Sequence, residues 1–196
     1  DDVLVVANGG SVDSITTADT LVSTGFTGGI EPNLTVTASA GNLVLGAIAI
    51  AGQTLSLTAT VGSILDDGSN ATVITAGGTT LTAGTAIGAI GATGQIDTAV
   101  STLIATANNG SVFVGEADAI TLSNVTAVGA GNDVTVANAA GDITVVSVTA
   151  PDQVNLTAAG SILDDGVNGT RITATGATLV SGGAIGAAGA NNEIDT

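Results

Sequence analysis

Two stretches of this chain repeat each other without a gap. Residues 62–98 read GSILDDGSNATVITAGGTTLTAGTAIGAIGATGQIDT and residues 160–196 read GSILDDGVNGTRITATGATLVSGGAIGAAGANNEIDT, identical at 25 of 37 positions. The offset is 98 residues. Upstream the match is looser and the offset is 100: Gly10, Ser11 and Val12 answer Gly110, Ser111 and Val112, and Ala40, Gly41, Asn42 and Leu43 answer Ala140, Gly141, Asp142 and Ile143. The first copy therefore carries two extra residues between Gly41 and Gly62. An internal period of this kind constrains the architecture more than any local propensity, because every element must pack in both copies. The chain divides into a first repeat, 1–98, and a second, 99–196, continuous with it. Its last residues, Ile194, Asp195 and Thr196, answer Ile96, Asp97 and Thr98, so the expectation is a segment of a longer array.

A finer period runs inside each copy. Short alternating runs recur, among them Val112-Phe113-Val114, Ile120-Thr121-Leu122, Val134-Thr135-Val136, Ile143-Thr144-Val145 and Val154-Asn155-Leu156. Each has the period of 2 that marks a strand with one buried face, and each is bounded by Gly, Asn, Asp or Ala-Gly turn signals. The spacing predicts an all-β solenoid, a right-handed parallel β-helix, with two principal strands per coil and about ten coils of about 20 residues. Each copy would then hold about five coils, and the whole rod would be roughly 50 Å long at about 4.8 Å per coil. The 29 glycines, spread throughout, leave no 3.6-residue apolar stripe for a helix. The competing architecture is two tandem Ig-like β-sandwiches, whose usual length also suits a copy. Each sandwich would have to build its core with at most one aromatic ring, because Phe26 and Phe113 are the only aromatics in the chain.

Composition removes whole classes of chemistry. With no His and no Cys there is no Cys/His zinc site and no His-activated nucleophile. One basic residue, Arg171, stands against 17 acids, a formal net charge of −16, which argues against nucleic acid and against anionic membrane surfaces. The most apolar stretch, residues 43–52, is too short to span a bilayer, so membrane insertion is not expected. No leader is visible behind the acidic Asp1 and Asp2, and a soluble chain is expected.

The phrases Leu156-Thr157-Ala158-Ala159-Gly160-Ser161-Ile162-Leu163-Asp164-Asp165-Gly166 and Gly183-Ala184-Ile185-Gly186 resemble the repeats of very large bacterial surface proteins, the filamentous-haemagglutinin-like adhesins and related giant exported proteins. The likeness covers essentially the whole chain and is one of style. It implies a right-handed β-helical shaft, exported to or beyond the cell surface. The family's N-terminal secretion domain has no counterpart in this sequence.

Several local features have the residue types of sites. Asp66-Asp67-Gly68 and Asp164-Asp165-Gly166 place carboxylates at a corner, as a calcium site would, but calcium needs six to eight oxygens, and the same residues read as a turn. Residues 129–134, Gly-Ala-Gly-Asn-Asp-Val, resemble part of a calcium-binding nonapeptide, which functions only in tandem copies; this one stands alone. Paired carboxylates in a β-helix also suit glycoside cleavage, but the aromatic platforms and basic residues of such sites are missing. Thr-x-Thr at Thr35/Thr37, Thr58/Thr60, Thr80/Thr82 and Thr173/Thr175 has the look of an ice-binding threonine ladder. The second copy breaks the pattern, with Val136 and Ala137 where the first has Val36 and Thr37, so strand propensity explains it. Six Asn-x-Ser/Thr sequons, at Asn33, Asn70, Asn109, Asn124, Asn155 and Asn168, are read as decoration at most.

No catalytic, cofactor-binding or metal-binding residue is therefore assigned, and no enzyme is expected. The expected function is a structural repeat of an extracellular filament or adhesin shaft, self-associating head to tail or continuing in a longer array. The alternative is an adhesive recognition module for a glycan or cell-surface partner. Its best candidates are the asymmetric stretch Thr24 to Asn33 and the acidic pair Glu116 and Asp118.

Overall fold

The computed structural model describes residues 3–8, 14–17, 21–27, 33–167, 169, 171–187 and 193–196. Among them every regular element is a β-strand, and every pairing between those strands is parallel. Tandem Ig-like sandwiches would require antiparallel sheets, so that alternative is excluded. The chain is a β-solenoid.

One column of residues displays the geometry. Val3, Leu21, Leu43, Ile64, Ile87, Val112, Val134, Val154 and Ala177 pair in succession, each with its counterpart one turn on. Six turns separate Leu43 from Ala177, with 20 to 25 residues in each. The coils are fewer than the ten expected because they are longer. Segments 67–73 and 88–95 leave the stack and return to it without adding a rung, and run spacing alone cannot separate such excursions from rungs.

Each turn has two strand-bearing sides. Face A carries Leu43–Leu45, Ile64–Asp66, Val112–Glu116, Val134–Asn138, Gln153–Ala158 and Gly176–Ser181. Face B carries Asn33–Ala38, Ile120–Ala127, Ile143–Val145, Ser147–Thr149, Ile162–Asp164 and Arg171–Thr173. The long strands Ile48–Ala59, Ile74–Ala83 and Ile96–Ala107 run around the corner from A to B. Alternation places every second residue inside: Val134, Val136 and Asn138 are buried while Thr135 and Ala137 are half-exposed. The interior is one continuous aliphatic cluster, from Leu34 to Ile172. Each fully buried Val, Leu or Ile in it contributes about 1.5–3 kcal/mol.

The duplication maps onto this stack in an unexpected way. Leu43, Ile64 and Ile87 are stacked on face A, whereas their copies Ile143, Ile162 and Ile185 are stacked on face B. Conversely Leu57 and Leu81 stack on face B, and their copies Leu156 and Leu179 on face A. Four turns lead from Leu43 to Val134, and Ile143 lies half a turn beyond, on the other side. A copy is therefore four and a half turns long, not five. The solenoid runs on through the junction of the copies, which falls inside the strand Ile96–Ala107.

The best-matched corner of the two copies shows why its glycine is needed. A Cβ on Gly62 would overlap the Gly41 carbonyl oxygen, and one on Gly160 would overlap that of Gly141. In the same corners the Ser63 amide donates to Asn42 Oδ1 at 2.8 Å and the Ser161 amide to Asp142 Oδ1 at 2.6 Å. Side chain and backbone together leave no volume for a methyl group. Gly160→Ala is expected to lower unfolding stability by about 1–3 kcal/mol through overpacking. Gly68→Ala, where a Cβ would meet nothing, carries only the strain of φ +85°. Chemical denaturation followed by circular dichroism separates the two, and equal midpoints would show that the corner yields.

Candidate functional site

The inner column that passes through Ile48 changes character in mid-rod. It runs Ile48, Ile74, Thr98, Glu116, Asn138 and Ala158, so three polar rungs lie between aliphatic ones. Glu116 is 2% exposed, Thr98 1% and Asn138 5%. Strand alternation dictates this: Val112 and Val114 point inward, and residue 116 of the same strand must follow them. The acidic pair expected as an exposed recognition patch is not one: Glu116 faces the core, and only Asp118, whose carboxyl still meets that of Glu116, is exposed at the following turn.

A buried carboxyl group needs partners, and this one has a full set. Thr98 Oγ1 lies 2.7 Å from Glu116 Oε2, and the amides of Ala117 and Asp118 donate to Oε1 at 3.0 and 3.2 Å. The Val100 amide donates across to both oxygens at 3.2 and 3.3 Å. Even so, burial dominates these contacts and pushes the Glu116 carboxyl up to about 7. Thr98 Oγ1 also lies 3.0 Å from the Gly115 carbonyl oxygen. Thr98 Oγ1 is thus placed to donate either to the Glu116 carboxylate or to the Gly115 carbonyl, and the Asp118 carboxyl is a further partner that favours the protonated form of Glu116. Asn138 on the next rung donates through Nδ2 to the Asp118 carbonyl, and its Oδ1 is buried with no partner among the described residues.

On the outside of the same corner lies an open depression lined by Asn70, Gln95, Asp97, Gly115, Ala137 and Asn138. Burial, and then the charges of Asp66 and Asp67, raise the Asp97 carboxyl above the ordinary carboxylate range. Among the described residues no group of three or more Asp, Glu, His or Cys side chains is placed to hold a metal ion.

The other singled-out residues are accounted for locally. Asp66 Oδ2 accepts from the Gly68 amide at 2.7 Å and Asp67 Oδ1 from the Ser69 amide at 2.9 Å. Asp164 Oδ1 and Asp165 Oδ1 accept from Gly166 and Val167 in the same way, at 2.6 and 3.0 Å. Gly68 and Gly166 take φ +85° and +81°, so both corners are side-chain-capped turns. In the segment 129–134, Asn132 Nδ2 donates to the Val128 carbonyl at 2.7 Å and Asp133 Oδ1 accepts from the Gln153 amide at 3.0 Å. Those groups tie the turn to its neighbour. Of the stretch Thr24 to Asn33, residues 28–32 lie outside the described residues, as does Asn168. Asn33, Asn70, Asn109 and Asn124 are exposed and Asn155 is half-exposed. Sequence reading missed Thr98 as a partner of Glu116 and Asn138 as the next polar rung: the only signal is that they sit 18 and 22 residues from it, one coil on either side, and this needs the register.

No protein-family model matches the chain, and no curated protein and no solved structure matches it significantly. No helix among the described residues is long and apolar enough to cross a membrane.

The buried carboxyl couples stability to pH with a defined sign. Its folded-state pKa of about 7 lies above the ordinary value of 4.5, so the folded state holds the proton more tightly than the unfolded chain. Its contribution is greatest below pH 4.5 and is lost as the pH rises through 7. Glu116→Gln mimics the protonated form, donating to Thr98 and accepting the same amides. It is expected to match the wild type in melting temperature near pH 5 and exceed it at pH 8. Glu116→Ala strands those donors and costs about 1–3 kcal/mol at either pH. A melting temperature that varies with pH identically in the wild type and in Glu116→Gln would mean that the carboxyl ionises freely.

Proposed function

We propose that this chain is a segment of a rigid extracellular shaft, of the filament or adhesin type, whose coils stack end to end. The observation that carries the reading is the uninterrupted stack: one parallel column runs from Leu43 to Ala177, and one aliphatic core from Leu34 to Ile172, straight through the junction of the two copies. A further coil of the same pattern, from this array or from another copy, would extend both the strand ladder and the aliphatic column by parallel β-addition.

Other features fit that role. The core is layered, each coil resting on its neighbours, and such a stack needs no disulfide. The charge of −16 keeps rods apart laterally while leaving their ends free to meet. The resemblance of the repeats to exported adhesin shafts supports the cell-surface setting.

Electron microscopy of the purified chain over a range of concentrations tests the end-to-end contact. The wild type is expected to form fibres one rod wide, whose mean length grows with concentration. Ile185→Asp, which places a charge in the inner column that follows Ile162, is expected to leave single short rods with an unchanged circular dichroism spectrum. Wild-type rods that stay single at every concentration would rule out self-assembly.

A further inference from the structure

We propose that the outward surface of face B is an ice-binding surface, on which a continuous threonine ladder engages the ice lattice. The register stacks Thr37, Thr58, Thr82, Thr106, Thr126, Thr149 and Thr173 directly above one another, seven rungs without interruption. All but the last are half-exposed, and Thr173 is fully exposed. At about 4.8 Å per step the ladder is about 29 Å long. A second column, Thr54, Gly78, Thr102, Thr121 and Thr144, runs along the same face, and between them lie Thr35, Ser56 and Thr80, then Ile104 and Asn124.

The two-copy relationship shows that this threonine column follows the face and not the repeat. Thr37, Thr82 and Thr149 are on face B, and their copies on face A are Ala137, Val180 and Ala49. Thr58 and Thr173 have copies, Thr157 and Thr75, that remain threonine. Strand propensity acts alike on both faces and gives no reason for this difference. The break in the Thr-x-Thr pattern of the second copy is therefore a change of side: where a copy leaves face B three of these five threonines lapse, and other strands carry the ladder on.

Charge narrows the occupant. From the coil of Asn33–Ala38 to that of Ser147–Thr149, the outward strand positions of face B hold no Asp or Glu, although the chain has 17. A cationic partner would need those acids there. Threonine's β-branched side chain is stiff at χ1, which restricts how each rung presents its methyl and hydroxyl; the Thr126 hydroxyl donates to Asn124 Oδ1 at 3.1 Å on the same face. A row of such methyl and hydroxyl pairs, repeating at a fixed spacing close to a lattice repeat of ice, suits an uncharged, periodic, hydrogen-bonding solid. Crystalline polysaccharide is also periodic and neutral, but its sugar rings bind through aromatic platforms, and these columns contain none.

The test uses the 196-residue chain in a nanolitre osmometer, with crystal shape recorded during supercooling. The wild type is expected to facet ice and hold its growth below the melting point. The double variant Thr82→Lys, Thr106→Lys is expected to lose both effects, whereas Thr135→Lys, outward on face A, keeps them. Circular dichroism melting confirms that each variant is folded. Unfaceted growth with the wild type would overturn the proposal, as would equal loss in the face A variant. Sedimentation of the wild type with microcrystalline cellulose or chitin, abolished by the face B variant in the absence of ice shaping, would overturn it in favour of polysaccharide.

Discussion

The parallel backbone ladder between successive coils underlies every other feature of this molecule. Such a ladder places each residue about 4.8 Å from its counterpart one turn away, so side chains are sorted into columns. A column pointing inward must keep roughly one volume along its length, since close-packed interiors tolerate neither voids nor excess. The aliphatic series Leu43, Ile64, Ile87, Val112, Val134 and Val154 obeys that rule with small changes of size. The same constraint explains the poverty of the composition. A bulky ring has no place in a column of Val and Ile, and Phe113 accordingly projects outward from face A.

Where a column breaks the rule, the reason is local and specific. Thr98, Glu116 and Asn138 substitute hydrogen bonds for apolar contact over three rungs, and Glu116 alone gathers one hydroxyl and three amide donors. That arrangement accommodates a protonated carboxyl in the core and ties its titration to the interior. It differs in kind from the exposed turns at Asp66-Asp67 and Asp164-Asp165, where carboxylates cap backbone amides in water. The two faces differ as well: from the coil of Asn33–Ala38 to that of Ser147–Thr149 the outward strand positions of face B are uncharged and rich in threonine, while the loops 67–73 and 88–95 and several carboxylates gather beside face A. The solenoid therefore presents unlike sides to its surroundings.

The fold was largely readable from residues. Alternation in runs such as Val134-Thr135-Val136, glycine at the corners and the absence of any helical stripe together point to stacked strands. Glu116 was legible as an oddity, because its copy position holds Thr16, but not as a buried group. Two of its donors, Thr98 and Val100, come from the preceding coil, and only register brings them to it. The ten-coil expectation failed for a related reason: residues 67–73 and 88–95 contain turn signals that look like rungs but leave the stack.

Parallel coils with an aliphatic interior follow from the chain read in order, because period-2 alternation and internal repetition are properties of the residues themselves. Where the two copies lie relative to each other follows only from the winding. A repeat of 98 to 100 residues, wound at about 22 residues per turn, advances four and a half turns, so each copied strand emerges on the opposite face. That half turn, the sum of small differences in loop length between coils, converts an interrupted threonine pattern in the sequence into an unbroken ladder on one surface.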